Sequence, residues 1–515
     1  MLNLSVILET SARKYPNHPA FTFGETTLTY AQVNGAANQV ANGLVAKGIQ
    51  KGDKIALNCL NLPYFPIVYF GILKAGAVCV PLSVLLKKDE TTYHLENSEA
   101  KAFFCFIGTE ELPMGKMGYE AFNEVASCEQ FYTIMPDPAA ASPLGKETLG
   151  SLMNGQSPAF DPAETSAEDL AVIIYTSGTT GQPKGAMLTH SNLMMNAILS
   201  ADLVGTSATD RQLIVLPLFH IFAMTVLMNA GIYRGAHSIL LPRFEADAAI
   251  GLMRKHQITV FAGVPTMFWG LNQYTNEAHI GDVSANLRIA VSGGASLPEQ
   301  VLVDFEAKYG VTILEGYGMS EGSPVVSFNH GKEDRKVGSI GTPVWGVQVK
   351  LVDDEGNEVP AGEKGELCYK GHNVMKGYYN KPEATAKTIN NGWLHSGDVA
   401  IKDEEGYFFI VDRTKDMIIR GGLNVYPREV EEVIIKHEAV SLVAVIGVQD
   451  NEYGEEIQAC VVLNDGATCT EDELREWTKE RIAAYKYPRK IDFVDGLPMS
   501  ATGKILKKEI RKQYA

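Results

Sequence analysis

Apolar positions along this chain recur in two rhythms that take turns. After a short hairpin centred on Gly24, the stretch "AQVNGAANQVANGLVAK" places apolar residues on one face of a helix from about Ala31 to Lys47. Gly48 then supplies a stop signal. Strand-like runs follow at "KIALNC" and "AVCVPL". The most apolar segment, "FPIVYFGILKAGAVCVPLSVLL", carries Lys74 and two prolines, so it reads as a core helix followed by a strand and not as a membrane span. Between roughly Pro136 and Glu168 the chain turns rich in Ala, Ser, Pro, Gly and Asp, as surface connections do.

The alternation resumes with "DLAVIIYT", then "KGAMLT", then a helix over "SNLMMNAILSADLV" with Leu193, Met194, Ala197, Ile198 and Ala201 on one face. Further strand–helix units lie at "RQLIVLPLFH", "ITVFAGVPTMFWGL", "LRIAVSGGASLPEQVLVDFEAKYG" and "VTILEGYG". Such alternation predicts parallel α/β layers. From about Gly338 to Arg413 the rhythm changes to short strands with glycine turns. After that come a strand pair around "DMIIRGG", a helix entered at Pro427, the strands "SLVAVIGV" and "EIQACVVL", and a Thr470/Glu473 capping box. The expected organisation is an α/β large domain over 1–412, β-rich from about 338 to 412, and a small mobile α+β domain over 413–515, with a hinge near Lys415.

A length of 515 residues agrees with more than one core. The net charge of −16 speaks against nucleic acid as a partner, since the basic run Lys504 to Lys512 is local. Seven scattered cysteines with no CxxC fit reduced thiols, and the histidines form no HxxxH or Cys/His cluster, so no structural zinc site is expected. The N-terminus lacks the features of a signal peptide. A cytoplasmic protein is expected, with contact at a membrane surface left open. The oligomeric state is also open, a homodimer being one option.

The stretch "YTSGTTGQPKGAMLTH" carries the first chemistry. It is not a Walker A loop. Counting from Gly178, the second glycine is replaced by Pro183, and the magnesium-binding hydroxyl after the lysine by Gly185. It is also flanked by strands on both sides, whereas Walker A runs into a helix. It can still receive phosphates: Ser177, Thr179 and Thr180 offer hydroxyls, Gly178, Gly181 and Gly185 let amides turn inward, and Lys184 adds a point charge. The alternative is a glycine-rich turn with one solvated lysine.

This loop resembles the phosphate loop of the adenylate-forming superfamily, which includes acyl-CoA synthetases, nonribosomal adenylation domains and beetle luciferases. The resemblance continues in order through "LPLFHIFAM", "VSGGASLP", "GYGMSEGSP", "GELCYKGHNVMKGYYNKPEAT", "WLHSGDVA", "VDRTKDMIIRGGLNVYPREVEE" and "PMSATGKILKKEI", from about Asp169 to Gln513. It implies the adenylate-forming fold and two half-reactions. A carboxylate attacks the α-phosphate of ATP to give acyl-AMP and pyrophosphate, and a thiol then displaces AMP.

The resemblance also implies roles. Thr176, Ser177, Gly178, Thr179, Thr180 and Lys184 would hold the β- and γ-phosphates. Glu321 would help bind Mg2+, and Ser320, where most relatives have threonine, would contact the α-phosphate. Tyr317 would stack on adenine, with Gly294 and Ala295 opposite and Glu315, Gly316 and Gly318 in the same wall. Asp398 and Arg413 would bind the ribose hydroxyls. Lys504 would stabilise charge during adenylation. His220, Met224, Val264, Gly293, Gly316 and Met319 would line the acyl pocket, and His220, Arg420, Gly421 and Gly422 the CoA channel. Lys415 stands at the family's hinge.

The pocket segments carry no acidic residue that could bind a substrate ammonium, so an apolar acid is expected. Met224, Met228, Met267 and Phe268 suit an alkyl chain. Some long-chain members carry a tryptophan gate where Met224 stands. The expected activity is a medium- or long-chain fatty acid:CoA ligase using ATP, Mg2+ and CoA. Alternatives are an aryl or alicyclic acid:CoA ligase and a ligase loading a carrier protein. A remote one is a serine hydrolase, because "GMSEG" spells G-x-S-x-G and Asp398 and His437 follow in order.

Overall fold

A computed structural model describes residues 2–176, 182–331, 333–413, 415–450 and 452–514. Two extended sheets form the body. One has seven strands in the order Gly377–Tyr378, Lys184–Thr189, Leu170–Thr176, Val78–Pro81, Lys54–Asn58, Ala100–Phe106 and Gln130–Ile134. Its central strands are parallel and almost wholly buried, which is why they read as continuous apolar runs without alternation. Lys184–Thr189 turns back antiparallel on Leu170–Thr176, so the glycine-rich loop joins two strands as expected.

The helix Tyr64–Lys74 is buried along nearly its whole length, and even the ammonium of Lys74 is enclosed, paired with Glu9 at 2.5 Å. Its neighbour Tyr30–Ala46, entered through a Thr29/Gln32 capping box, crosses so closely that a Cβ on Gly71 would lie 2.5 Å from Val40. The connection through residues 136–168 is tied down. Asn38 and Asn42 donate to the carbonyls of Pro158, Ser157 and Ala159, and a short helix forms at Leu149–Met153.

The second sheet has nine strands, ordered Thr342–Pro343, Val325–Phe328, Ile313–Gly318, Ile289–Ser292, Val260–Gly263, Arg211–Ile214, His237–Leu240, Pro19–Phe23 and Thr26–Thr29. Three adjacent parallel strands end at Gly263, at Ser292 just before Gly293–Gly294, and at Gly318. This is the edge where open α/β sheets bind ligands. A third, antiparallel sheet spans Val347–Val352 to Phe408–Arg413.

The main apolar cluster runs from Leu4 to Phe408. Separate clusters begin at Ile418, around the strands Val440–Asp450 and Gly454–Leu463. Between them, the Asp412 carboxylate accepts from the amides of Arg413 at 2.7 Å and Arg428 at 3.0 Å. The two bodies also meet at Thr266–Gly503, Trp269–Ser441 and Lys436–Glu299.

Candidate active site

A cavity of about 960 Å³ lies at these strand ends, between the two large sheets and the small C-terminal body. Thr176, Pro183 and Lys184, which flank the glycine-rich stretch, line it. Thr176 and Lys184 are register partners. The Thr176 hydroxyl donates to Glu321 at 3.2 Å, the Tyr378 hydroxyl donates to the same oxygen at 2.8 Å, and the Lys184 ammonium sits 5.0 Å from the centre of the Tyr378 ring. Four residues from three motifs therefore form one connected group. Tyr378, within "KGYYNKPEAT", is a member that the sequence alone does not single out. Ser177, Gly178, Thr179, Thr180 and Gly181 lie outside the described residues.

Glu321 is buried on a single 3-10 turn, Ser320–Gly322, at the cavity wall. A carboxylate with one oxygen fixed by two hydroxyls fits a magnesium ion, which is bound by one or two carboxylates plus substrate phosphates. Ser320 lines the cavity beside it. The same turn removes the hydrolase reading. A nucleophile elbow needs a helix after the serine, but here one 3-10 turn leads back into the strand Val325–Phe328. Asp398 is bound to Tyr317 and Arg413, and His437 packs on Trp477 in the other body.

Asp398 owes its position to a bulge. On the strand pair Lys364–Gly371 and Trp393–Lys402, Cys368 faces His395 while Glu366 faces Val399, so the second strand carries two extra residues between those points. The excess is the turn through Ser396, Gly397 and Asp398. Gly397 adopts φ +73°, a left-handed backbone that glycine tolerates. Its amide donates to Glu366 at 2.9 Å, and Ser396 donates to the Leu367 carbonyl at 2.6 Å. Arg413, opposite Asp398 in register, pairs with it at 3.0 Å. Tyr317 and Arg413 line the cavity and cover Asp398, which is not itself among the lining residues.

Lys504 enters from the small body. Ser500 and Lys504 close a turn through backbone and hydroxyl bonds of 2.8 and 3.1 Å. Gly503, at φ +77°, offers its carbonyl to Thr266 at 2.8 Å, and a Cβ there would lie 2.9 Å from the threonine hydroxyl. Burial, then the charge of Arg413, pushes Lys504 down to about 8, with Asp398 opposing. Burial, then Lys504, pushes His220 down to about 4, so that imidazole is neutral. Lys415 also lines the cavity, its ammonium lowered by burial and then by Arg413.

Part of the wall is apolar. Phe222, Val264, Met319 and Phe328 line the cavity with Gly293, Gly294 and Gly316. The aromatic rings lie against the glycines: a Cβ would approach Phe222 to 3.3 Å at Gly293 and Phe328 to 2.6 Å at Gly316.

Several expectations are corrected. Met224 does not line the cavity. The segment Phe222–Asn229 is a π-helix, and Met224 and Met228 are turned wholly into the core. Met267 and Phe268 are also core residues, Phe268 standing between the rings of Phe261 and Phe305. Glu315 and Ala295 are not lining residues. Glu315 is buried behind the wall, where its carboxylate accepts from Leu297 at 3.3 Å and is pushed up to about 7 by burial, with Arg428 opposing. Gly318 remains at the wall. Arg420, Gly421 and Gly422 stand apart from the cavity. Arg420 is engaged with Glu456 at 2.7 Å and with the Tyr453 ring, because the small body presents its Lys504 turn instead.

The AMP-binding enzyme family matches residues 8–379, and the AMP-binding enzyme C-terminal domain matches residues 429–504. A long-chain-fatty-acid–CoA ligase of Bacillus subtilis (strain 168) is 35% identical over 536 residues, covering 99% of this chain and 94% of that protein. A feruloyl-CoA synthase of an Amycolatopsis species is 36% identical over 514 residues, covering 98% and 97%. The crystal structure of an anthranilate CoA ligase in complex with anthranoyl-AMP superposes with a TM-score of 0.91 at 29% identity, covering 99% of this chain and 97% of that one.

Proposed function

The chain belongs to the family of AMP-binding enzymes, and from that premise we propose that it joins an apolar carboxylic acid to CoA through an acyl-AMP. The observation that carries this reading is the Lys504 turn of the small body. It is inserted into the same cavity as the Thr176–Lys184–Glu321 group and Tyr317.

In the first step a substrate carboxylate oxygen attacks the α-phosphorus of ATP. The bond to pyrophosphate breaks and a mixed anhydride forms. Catalysis here is positioning and charge compensation. Thr176 and Lys184, with Ser177, Gly178, Thr179 and Thr180, hold the leaving phosphates. Glu321 holds Mg2+, which offsets phosphate charge when bound. Lys504 and Ser320 face the α-phosphate. Tyr317 supports adenine together with Gly294, and Asp398 with Arg413 takes the ribose diol. In the second step the thiol sulfur of CoA attacks the acyl carbon, AMP leaves, and the thiol proton passes to solvent. Lys504 must withdraw for this, so the small domain, 413–515, turns about Asp412 to Lys415 and brings Arg420, Gly421 and Gly422 to the cavity beside His220.

The acid is a medium- or long-chain fatty acid. Val264, Met319, Phe222 and Phe328 offer it apolar contact. An aromatic acid is the second reading, favoured by the two rings set against Gly293 and Gly316 and by the feruloyl and anthranilate relatives. AMP formation across acids from acetate to stearate, with benzoate and ferulate, separates them. A rise toward the longer chains supports the first reading, and a maximum at an aromatic acid replaces it. Among the described residues no helix is long and apolar enough to cross a membrane. A cytoplasmic location accords with the scattered free thiols.

A further inference from the structure

The bulge that carries Asp398 creates a second feature on its other side. Glu366 and Cys368 lie two apart on one strand and therefore share a face. His395 is the register partner of Cys368. Its Nδ1 atom lies 2.8 Å from Glu366 Oε2 and 3.3 Å from Cys368 Sγ, and the three ligand atoms fall within 4.8 Å of one another.

This is not a nucleophile–base–carboxylate relay. In such a relay the thiol and the carboxylate contact different imidazole nitrogens, so that a proton taken from one side is balanced on the other. Here both converge on Nδ1. Three donors of different type aimed at one point suit a cation instead. The remaining Glu366 oxygen is anchored by the Gly397 amide at 2.9 Å, a second contact that fixes the carboxylate's direction. Glu366 and His395 also line the large cavity, which gives an entry path and an open side for a water ligand.

We propose that Glu366, Cys368 and His395 bind one soft divalent cation of the zinc class. A tetrahedral zinc ion holds its nitrogen and oxygen ligands about 3.4 Å apart and its nitrogen and sulfur ligands about 3.6 Å apart. The Glu366–His395 separation would open by about 0.6 Å and the Cys368–His395 separation by about 0.3 Å. One carboxylate and one thiolate cancel the ion's charge, so the partly buried site carries no net charge when filled. Binding requires the thiolate and a free Nδ1 lone pair. The Cys368 proton is released to solvent and the His395 proton resides on Nε2. Without the ion, burial and then the Glu366 carboxylate push the thiol up to about 12, so it does not ionise by itself. A bound ion clamps the two strands beneath the turn that bears Asp398. The proposal needs no assumption about the acid that the enzyme activates.

The test is titration of the metal-stripped full chain with Co2+ alone, without nucleotide. A thiolate-to-cobalt charge-transfer band saturating at one ion per chain, and bleached by Zn2+, is expected. Cys368→Ser should abolish the band. Cys469→Ser should keep it, Cys469 being, among the described residues, the one cysteine that is not buried. Glu366→Gln should weaken apparent affinity about tenfold or more. Circular dichroism checks that each variant is folded. If Cys368→Ser does not fold, X-ray absorption of the zinc-loaded native chain decides, by one sulfur and one imidazole in the first shell. No band, a band surviving in Cys368→Ser, or an all-oxygen shell overturns the proposal.

Discussion

The phenol of Tyr317 donates to the Asp398 carboxylate across 2.5 Å, while Arg413 occupies the other oxygen at 3.0 Å. The residue assigned to the ribose is thus fully engaged by the protein before any nucleotide arrives. A diol must share or displace these partners, and its net gain is correspondingly modest. Asp398→Ala should weaken ATP and AMP by the same factor, about tenfold or more for a charge-assisted contact. Tyr317→Phe, which keeps the ring and frees an oxygen, should change both much less. Calorimetric titration of each nucleotide measures this. A loss confined to ATP would contradict the ribose role.

Lys184, proposed to hold the leaving phosphates, contacts the Tyr378 ring. Lys184→Ala removes one charge-assisted contact, worth roughly 1.5–3 kcal/mol. Pyrophosphate exchange should show a higher ATP requirement or slower adenylation, with the acid preference unchanged. Native ATP kinetics in this variant would remove Lys184 from the phosphate site.

The two glycines under the aromatic rings should tune acid length unequally. Gly293→Ala brings a methyl to 3.3 Å from both the Phe222 ring and the Gly316 carbonyl oxygen, a tight but tolerable fit. Gly316→Ala brings one to 2.6 Å from Phe328, so that ring, which lines the cavity, must shift. A methyl-sized change is worth about 1–3 kcal/mol in discrimination. Both variants should favour shorter acids, Gly316→Ala more strongly. A uniform loss across all acids would mean that the glycines do not border the acyl group.

Lys504 makes activity and stability respond oppositely to alkali. Its ammonium is pushed down to about 8 from the ordinary 10.5. Between these values the unfolded chain binds the proton that the folded chain has lost, so this group's contribution to stability rises with pH across that window. Adenylation needs the charged form, so kcat/KM for acyl-AMP formation should fall as pH rises through about 8. In Lys504→Arg the guanidinium stays charged, and the alkaline fall should vanish whatever activity remains. An unchanged alkaline limb would assign it to another group.

Much of this was legible from residue types. The strand–loop–strand form followed from Pro183 and Gly185 standing where a Walker loop cannot have them, and the Thr470/Glu473 box caps its helix as read. What escaped was set by geometry between distant segments. Met224 fits a pocket by composition, but the π-helix turns it inward, and no local pattern announces a π-helix. Glu366, Cys368 and His395 have no metal-ligand spacing in sequence. The pairing of Cys368 with His395 across two strands brings them together. Tyr378 reaches Glu321 only because the two-residue strand Gly377–Tyr378 pairs beside the phosphate-loop strand.

If one cavity is served in turn by two faces of the small domain, its two half-reactions should be separable. In Lys504→Ala, acyl-AMP formation from ATP and acid should collapse, while supplied acyl-AMP and CoA should still yield thioester. Lys415→Pro restricts the backbone at the pivot, where a native bend must change, and should do the reverse. Rates of both half-reactions in both variants are the measurement. Opposite selective losses are the predicted result. Equal loss of both steps in both variants would contradict the two-face account.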